Sequence, residues 1–375
     1  MDSPGTRPTV TELRLSSFAS HRGGAFGLGP VTLFAGPSGS GKSTVLQVYE
    51  ALARLGGGAE LAEAFPDPGG CVPEGAGEDA EGRRGFRVGC TVNGPVGTVR
   101  LDLAVQAEPE LRIVGERLTS DGHVLLSTAL RDPGRSRVQA AWHTAGDAAV
   151  TRAPLPDDRL GTALLPLRVA GSTDGQRRVL AAAEQVVVAL RSVFPCDPQP
   201  HRMRAPVLPG EGRLRRGCDN LAAVLHRTRS ECARRHARLA AVAREGCAGA
   251  VAGVGVEELA DGRLRAVLGR AAGRRATPLE RLGDGELRFL ALALVLLTGP
   301  GVLAVDPAAE VPGALQSLTV LADGFDRCLD GGQLRELAAL AGSVCAGGHL
   351  RLVGAVGDGA AARSIEGVTV VDLVP

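Results

Sequence analysis

Residues 36–43 read Gly36-Pro37-Ser38-Gly39-Ser40-Gly41-Lys42-Ser43, and this stretch, GPSGSGKS, fits G-x-x-x-x-G-K-[ST], the phosphate-binding loop. The apolar run Val31-Thr32-Leu33-Phe34-Ala35 precedes it and the helix-like segment Thr44-Val45-Leu46-Gln47-Val48 follows, so strand, loop and helix stand in the order the motif needs. Glycines let the backbone curl until successive N–H groups point inward at a β-phosphate, and the start of the following helix adds its positive dipole end. On this pattern Lys42 meets the β- and γ-phosphates and the Ser43 hydroxyl holds Mg²⁺. Lys42 is also the only lysine in a chain that otherwise uses arginine. A compact ammonium is kept where a planar guanidinium cannot replace a point charge wrapped by backbone.

The 375 residues are 44% hydrophobic, enough for one elaborate domain or two lobes with a sizeable core. Aromatics are only 3%, so that core must be built from Leu, Val and Ala. A net charge of +1 demands neither a nucleic acid nor a membrane as partner. The 8 Cys show no C-x-x-C pair, which argues against a zinc ribbon or a disulfide framework and for reduced thiols in the cytoplasm. Cys232 and His236 share a helix face at i, i+4, but no second pair accompanies them as a metal site requires. Residues 1–5 lack a basic stretch followed by an apolar core, so no secretory leader is expected, and the longest apolar run, Phe289 to Thr298, is too short to span a bilayer.

Working outward, Thr9 to Ser17 alternates apolar and polar residues as a strand does, and the helix after the phosphate loop should stop at Gly56-Gly57-Gly58. Residues 56–85 are rich in Gly, Pro, Asp and Glu and read as a surface insertion. Strand patterning returns at Phe86 to Val92, Gly97 to Val105, Leu111 to Leu118 and His123 to Leu126, an antiparallel meander, whereas Arg131 to Asp158 is turn-rich. Arg177 to Phe194 and Asn220 to Gly246 read as helices, the second with a stripe of Leu221, Leu225, Thr228, Cys232, Arg235, Leu239 and Val242 resembling a short coiled-coil face. Across His201 to Glu245 eleven Arg stand against Glu211, Asp219, Glu231 and Glu245. That asymmetry permits contact with a nucleic-acid backbone, although a solvated helix face is its commoner cause.

Leu282-Gly283-Asp284-Gly285-Glu286 then opens a helix, Leu287 to Leu297, that is apolar nearly all round and so belongs in a core. After Gly299-Pro300-Gly301 comes Val302-Leu303-Ala304-Val305-Asp306, read as a short buried strand ending in a carboxylate, the Walker B pattern, with Asp306 facing Ser43 across Mg²⁺. Arg335 to Cys345 reads as a helix, and Leu350 to Val356 and Val368 to Leu373 as the last strands. Strands alternating with helices around a phosphate loop argue for a mostly parallel α/β sheet. The expected plan is an N-terminal part of a nucleotide-binding head over 1–170, a helical lobe over 171–276 and the C-terminal part of the head over 277–375.

This order of motifs resembles the ABC-class P-loop ATPases of the SMC/RecF-like branch, the bacterial AAA-family ATP-binding proteins. The resemblance rests on FASHRGGAFGLGPVTLFAGPSGSGKST, on IVGERL at Ile113 to Leu118, on CDNLAAVL at Cys218 to Leu225 and on LGDGELRFLALALVLL at Leu282 to Leu297. It implies an α/β head with an antiparallel β-lobe and a helical lobe, and ATP and Mg²⁺ as cofactors. It further implies Gly36 to Thr44 as nucleotide contacts, Ser43 and Asp306 at the metal, and Gly283, Asp284 and Gly285 as a signature motif. That signature completes the site of a second copy, so the implied assembly is an ATP-sandwiched homodimer, with DNA or a protein as further partner and a role in DNA maintenance or defence. Transporter duty would need a membrane partner, and a small-molecule kinase leaves Gly283 to Glu286 without a task.

Several positions depart from the family. Gly283 stands where the signature usually has Ser, and Pro307 where a Glu orients the attacking water, leaving Glu310 as the candidate catalytic carboxylate beside Lys42. The family's His after the next strand is replaced by Gly357-Asp358, while His349 lies at the other end of that strand. The alternative reading is therefore a non-hydrolytic, ATP-gated switch that docks a partner. Gln106 is the guess for a lobe-coupling glutamine, and Arg22 and Arg288 are candidate phosphate contacts or surface arginines.

Overall fold

The computed structural model describes residues 7–143, 150–210, 212–271, 273–305 and 311–374. In chain order the strands are β1 (Thr9–Phe18), β2 (His21–Gly27), β3 (Val31–Ala35), β4 (Arg84–Gly94), β5 (Gly97–Glu108), β6 (Arg112–Ser120), β7 (His123–Ala129), β8 (Arg137–Trp142), β9 (Thr151–Pro156), β10 (Val193–Cys196), β11 (Val251–Glu258), β12 (Leu264–Arg270), β13 (Thr277–Pro278), β14 (Leu318–Ala322), β15 (Leu350–Val356) and β16 (Val368–Asp372). The helices are α1 (Lys42–Gly56), α2 (Leu61–Ala64), α3 (Gly161–Leu164), α4 (Asp174–Arg191), α5 (Pro200–Met203), α6 (Leu221–Glu231), α7 (Ala233–Gly246), α8 (Asp284–Leu296) and α9 (Gly331–Cys345). The chain divides into two units, one of Met1–Leu28, Ser40–Val193 and Asp306–Ser317, the other of Gly29–Gly39, Phe194–Val305 and Leu318–Pro375.

The first unit is built on an antiparallel sheet of order β2-β1-β4-β5-β6-β7-β8-β9. Tight connections such as Gly94 to Gly97 and Ser120 to His123 can join only antiparallel neighbours; the expected antiparallel meander is part of the largest sheet, whereas a mostly parallel sheet was expected to dominate. Along β5, Val99, Leu101, Leu103 and Val105 point into the core while Arg100 and Asp102 point out. Helix α4 covers the apolar face, packing on α1, β1, β4 and β5. Its buried Gln185 donates to the carbonyls of Val92 (3.3 Å) and Gly97 (2.8 Å) and accepts from the Val96 N–H (3.0 Å), clamping the β4–β5 turn. Within the stretch read as turn-rich, β8 and β9 extend the sheet because Val138, Ala140 and Trp142 alternate inward. The 56–85 insertion holds the one-turn helix α2, anchored by buried Leu61.

The second unit holds a five-stranded sheet of order β10-β14-β15-β3-β16, with β14, β15, β3 and β16 pairing in parallel. Every residue of β3 and β14 is buried, as continuous apolar runs in a parallel sheet require. Helix α9 packs on β3, β15 and β16, and α8, buried all along, packs against α5, α7 and α9. Helices α6 and α7 pack on a small antiparallel sheet, β11-β12-β13, so residues 171–276 are not wholly helical. The expected single helix over 220–246 is broken at Cys232 (φ −152°, ψ 88°), whose Sγ accepts from the Arg235 N–H and caps α7. A continuous coiled-coil stripe is therefore excluded. The expected strand at Val302 is absent from the sheet: Leu303 forms only an isolated bridge to Leu214, and β14 takes the place beside β15.

Leu352 lies on β15, between β14 and β3, and is fully buried. Leu352→Ala is expected to cost about 2–5 kcal/mol, read as a lowered midpoint in urea unfolding at unchanged m.

Candidate nucleotide site at the carboxyl edge of the parallel sheet

Parallel pairing turns the carboxyl ends of four strands to one edge. Val356 pairs with Ala35, Gly354 with both Leu33 and Ala322, and Asp372 with Ala35. The loops leaving β3, β15 and β14 therefore begin on the same edge, where open α/β sheets bind ligands.

From β3 the chain passes through residues 36–41 into α1. Gly39 (φ 85°) and Gly41 (φ 86°) adopt the left-handed conformation that the curl of the loop requires and that β-carbon-bearing residues resist. A Cβ at Gly39 would meet no atom within 4 Å, so this backbone faces open space, as a phosphate cradle must. A Cβ at Gly41 would lie 2.3 Å from His21 Nε2. That nitrogen sits 3.1 Å from the Gly41 carbonyl, an acceptor, so the ring donates from Nε2. His21, the first residue of β2, is thus a prop of the turn that leads into α1. Lys42 Nζ is 3.4 Å from the hydroxyl of buried Ser40.

From β14 the chain continues Asp323-Gly324-Phe325-Asp326-Arg327-Cys328-Leu329-Asp330. Asp323 follows an all-buried strand, the setting expected of Asp306. Residues 306–310, and with them Asp306, Pro307 and Glu310, lie outside the described residues. The carboxylate of Asp323 and the hydroxyl of Ser43 are hard oxygen donors of the kind Mg²⁺ takes. The signal that could have found Asp323 is the apolar run Leu318-Thr319-Val320-Leu321-Ala322, with its β-branched members, ending in Asp just as the chosen run does.

The loop after Asp323 is held from several directions. Phe325 is buried and its N–H donates to the Ala355 carbonyl (2.8 Å). Asp326 Oδ2 accepts from the Gly357 N–H (2.7 Å), at the point where β15 ends. Arg288 of α8, only 2% exposed, donates to the Gly324 carbonyl (2.9 Å), to the Pro198 carbonyl and to Asp197 Oδ1 (3.3 Å). Asp197 also faces Arg327 at 3.5 Å. Arg288 is therefore an internal tie and not a phosphate contact, because its guanidinium is enclosed and already directed at carbonyl and carboxylate oxygens.

Gly283 is the N-cap of α8, and its N–H lies 3.4 Å from Glu286 Oε2. The Asp284 carboxylate is paired with Arg204 Nη2 at 2.6 Å, and the same nitrogen donates to the Leu282 carbonyl. A Cβ on Gly285 would come 2.3 Å from the Cys328 carbonyl, so only glycine lets the loop after β14 lie against the start of α8. Arg204 escaped the sequence reading because its partner lies 80 residues away.

Other candidates are spent elsewhere. Gln106 is buried and donates to the Glu110 carbonyl within its own hairpin. Arg22 is exposed on edge strand β2. His349 sits at the amino end of β15, and Asp358 Oδ1 accepts from the Ala360 N–H. Burial, then the nearby Arg229 charge, holds the His236 imidazole below its usual pKa, and no cluster of three metal-ligating side chains occurs among the described residues.

The head domain of an SMC protein bound to the C-winged-helix domain of ScpA matches with a TM-score of 0.50 at 14% identity, over 94% of this chain and 91% of that one. The fold is that of an SMC head. Two further SMC heads each give a TM-score of 0.44 at 14% identity. One is from Thermotoga maritima, with 98% of this chain and 99% of that one covered. The other carries an extended coiled coil and is bound to the C-terminal domain of ScpA derived from Pyrococcus furiosus, with 94% and 90% covered. No protein-family model and no curated protein matches the sequence. The SMC-head fold is an ABC-type ATPase fold.

Removing the Arg288 guanidinium takes this donor from the Pro198 and Gly324 carbonyls and leaves the Asp197 carboxylate with only the exposed Arg327 among the described residues. Arg288→Ala is expected to destabilise the second unit by about 3–5 kcal/mol, seen in chemical denaturation without any nucleotide present.

Proposed function

We propose that this chain is an ATP-binding protein of the ABC type that takes Mg²⁺-ATP on residues 36–44 and forms an ATP-sandwiched homodimer. The observation that carries the reading is the common edge on which β3 delivers the start of the phosphate loop and β14 delivers Asp323. Lys42 neutralises the terminal phosphates, backbone N–H groups of Gly36 to Gly41 cradle them, and Thr44 extends the first turn of α1. The Ser43 hydroxyl and the Asp323 carboxylate would hold Mg²⁺, which when bound would neutralise phosphate charge; Asp323 takes the role first given to Asp306. Gly283 to Gly285 present backbone donors to the nucleotide of a second copy. Arg204 offsets the Asp284 carboxylate that would otherwise repel a triphosphate there.

Hydrolysis is the leading reading, and a nucleotide-gated switch is the second. The switch is favoured by a specific feature: the residue after Asp323 is Gly324, which has no side chain with which to orient water. A protein partner fits the solved SMC heads bound to ScpA domains. A DNA partner rests on exposed Arg229 and Arg234, since Arg238 and Arg244 are bonded to Ser343 and to the Ala252 carbonyl. No helix among the described residues is long and apolar enough to cross a membrane.

Calorimetric titration with a non-hydrolysable ATP analogue and Mg²⁺ tests the site. Lys42→Ala and Asp323→Asn are each expected to weaken binding about 10- to 100-fold, with Asp306→Asn unchanged. Weakening by Asp306→Asn with Asp323→Asn unaffected would return the metal to Asp306.

A further inference from the structure

The ABC-type ATPases place a Glu directly after the Walker B Asp, and at that position this chain has Gly324. Gly324 is left-handed (φ 61°), and its carbonyl is taken by Arg288, so neither side chain nor backbone oxygen there can receive a proton from water. Two residues on, the loop turns back to β15. The Phe325 N–H bonds the Ala355 carbonyl, and the Gly357 N–H bonds Asp326 Oδ2 at 2.7 Å. Gly357 follows Val356, which pairs with Ala35, and Ala35 is followed by Gly36, where the phosphate loop begins. Asp326 is thereby tethered on the strand that lies between the one carrying Asp323 and the one carrying the phosphate loop.

The other carboxylates of this edge are engaged or exposed. Asp330 caps α9 by accepting from the Gln333 N–H, and Asp358 is exposed with Oδ1 bound to the Ala360 N–H. Asp326 is half-buried, and among the described residues no ion pair holds it and its Oδ1 has no bonded partner. One oxygen is anchored and the other is available.

We propose that Asp326 replaces the missing carboxylate at position 324 and acts as the base that orients and deprotonates the attacking water in ATP hydrolysis. The inference rests on the nucleotide reading above. In the step, the water oxygen bonds to the γ-phosphorus, and the bond from that phosphorus to the β–γ bridging oxygen breaks, its electron pair leaving with ADP. The water proton passes to Asp326 Oδ1 and then to solvent. Fixing the loop through Phe325, Gly324 and Gly357 gives a short carboxylate one defined position, which a base needs more than length.

Asp326→Asn separates chemistry from structure, because its amide oxygen still accepts from the Gly357 N–H but takes no proton. Single-turnover hydrolysis of γ-labelled ATP with Mg²⁺, beside binding of the non-hydrolysable analogue, is the experiment. Asp326→Asn is expected to bind unchanged and to hydrolyse about 10²- to 10⁴-fold more slowly. It should also accumulate ATP-loaded dimer on size exclusion with nucleotide quantified in the dimer peak. Hydrolysis by Asp326→Asn at the unmodified rate overturns the assignment, and so does loss of binding in that variant, which would make Asp326 a structural part of the loop. Binding without cleavage by the unmodified protein overturns this proposal alone. No binding by the unmodified protein overturns the nucleotide reading together with it.

Discussion

Parallel pairing of β14, β15 and β3 is the constraint on which the site depends. Parallel neighbours advance together, so three loops that are far apart in the chain must leave the sheet at one edge. Both faces of these strands are buried, which leaves the edge as the place where polar groups can gather. The loops there are joined by backbone donors: Phe325 to Ala355, Gly357 to Asp326. A shift of one register step would separate these partners and bury polar groups with nothing to bond.

A second constraint is the guanidinium of Arg288 inside an otherwise apolar helix. A guanidinium enclosed in a core is costly unless its donors find acceptors, and here both terminal nitrogens do, Nη1 on Asp197 and the Pro198 carbonyl and Nη2 on the Gly324 carbonyl, while Nε has no bonded partner among the described residues. The helix that opens at Gly283 is thereby joined to the loop that follows Asp323. Gly285 completes the fit from the other side, since the Cys328 carbonyl lies where its β-carbon would be. Two residues of the expected signature, Gly283 and Asp284, have partners in Glu286 and in the distant Arg204.

Local signals made part of this legible. The Gly-rich turn after β3, α1, the hairpins from β4 to β7 and the apolar helix α8 all follow from residues adjacent in the chain, where spacing and turn chemistry act directly. The break at Cys232 was hidden because the spacing of Leu221 to Val242 continues across it while the backbone does not. Strands β8, β9 and β11 were hidden for another reason: short segments that carry Ala, Gly or Pro have little intrinsic strand preference and become strands only when a neighbour supplies the ladder.

The sequence by itself determined the Gly-rich turn between β3 and α1, because Gly39 and Gly41 supply the left-handed backbone that the turn needs. It also determined that α8 is a core helix, since no polar face is left to show to water. Only the tertiary structure decided which apolar run ending in aspartate enters the parallel sheet. Val302 to Val305 and Leu318 to Ala322 are alike in composition, and the choice falls to β14 because its five residues pair in register with β15. It likewise decided that Arg288 faces inward and that Asp326 stands beside Gly357. Those are contacts between residues about 30 to 90 positions apart, and no local pattern encodes the packing that brings them together.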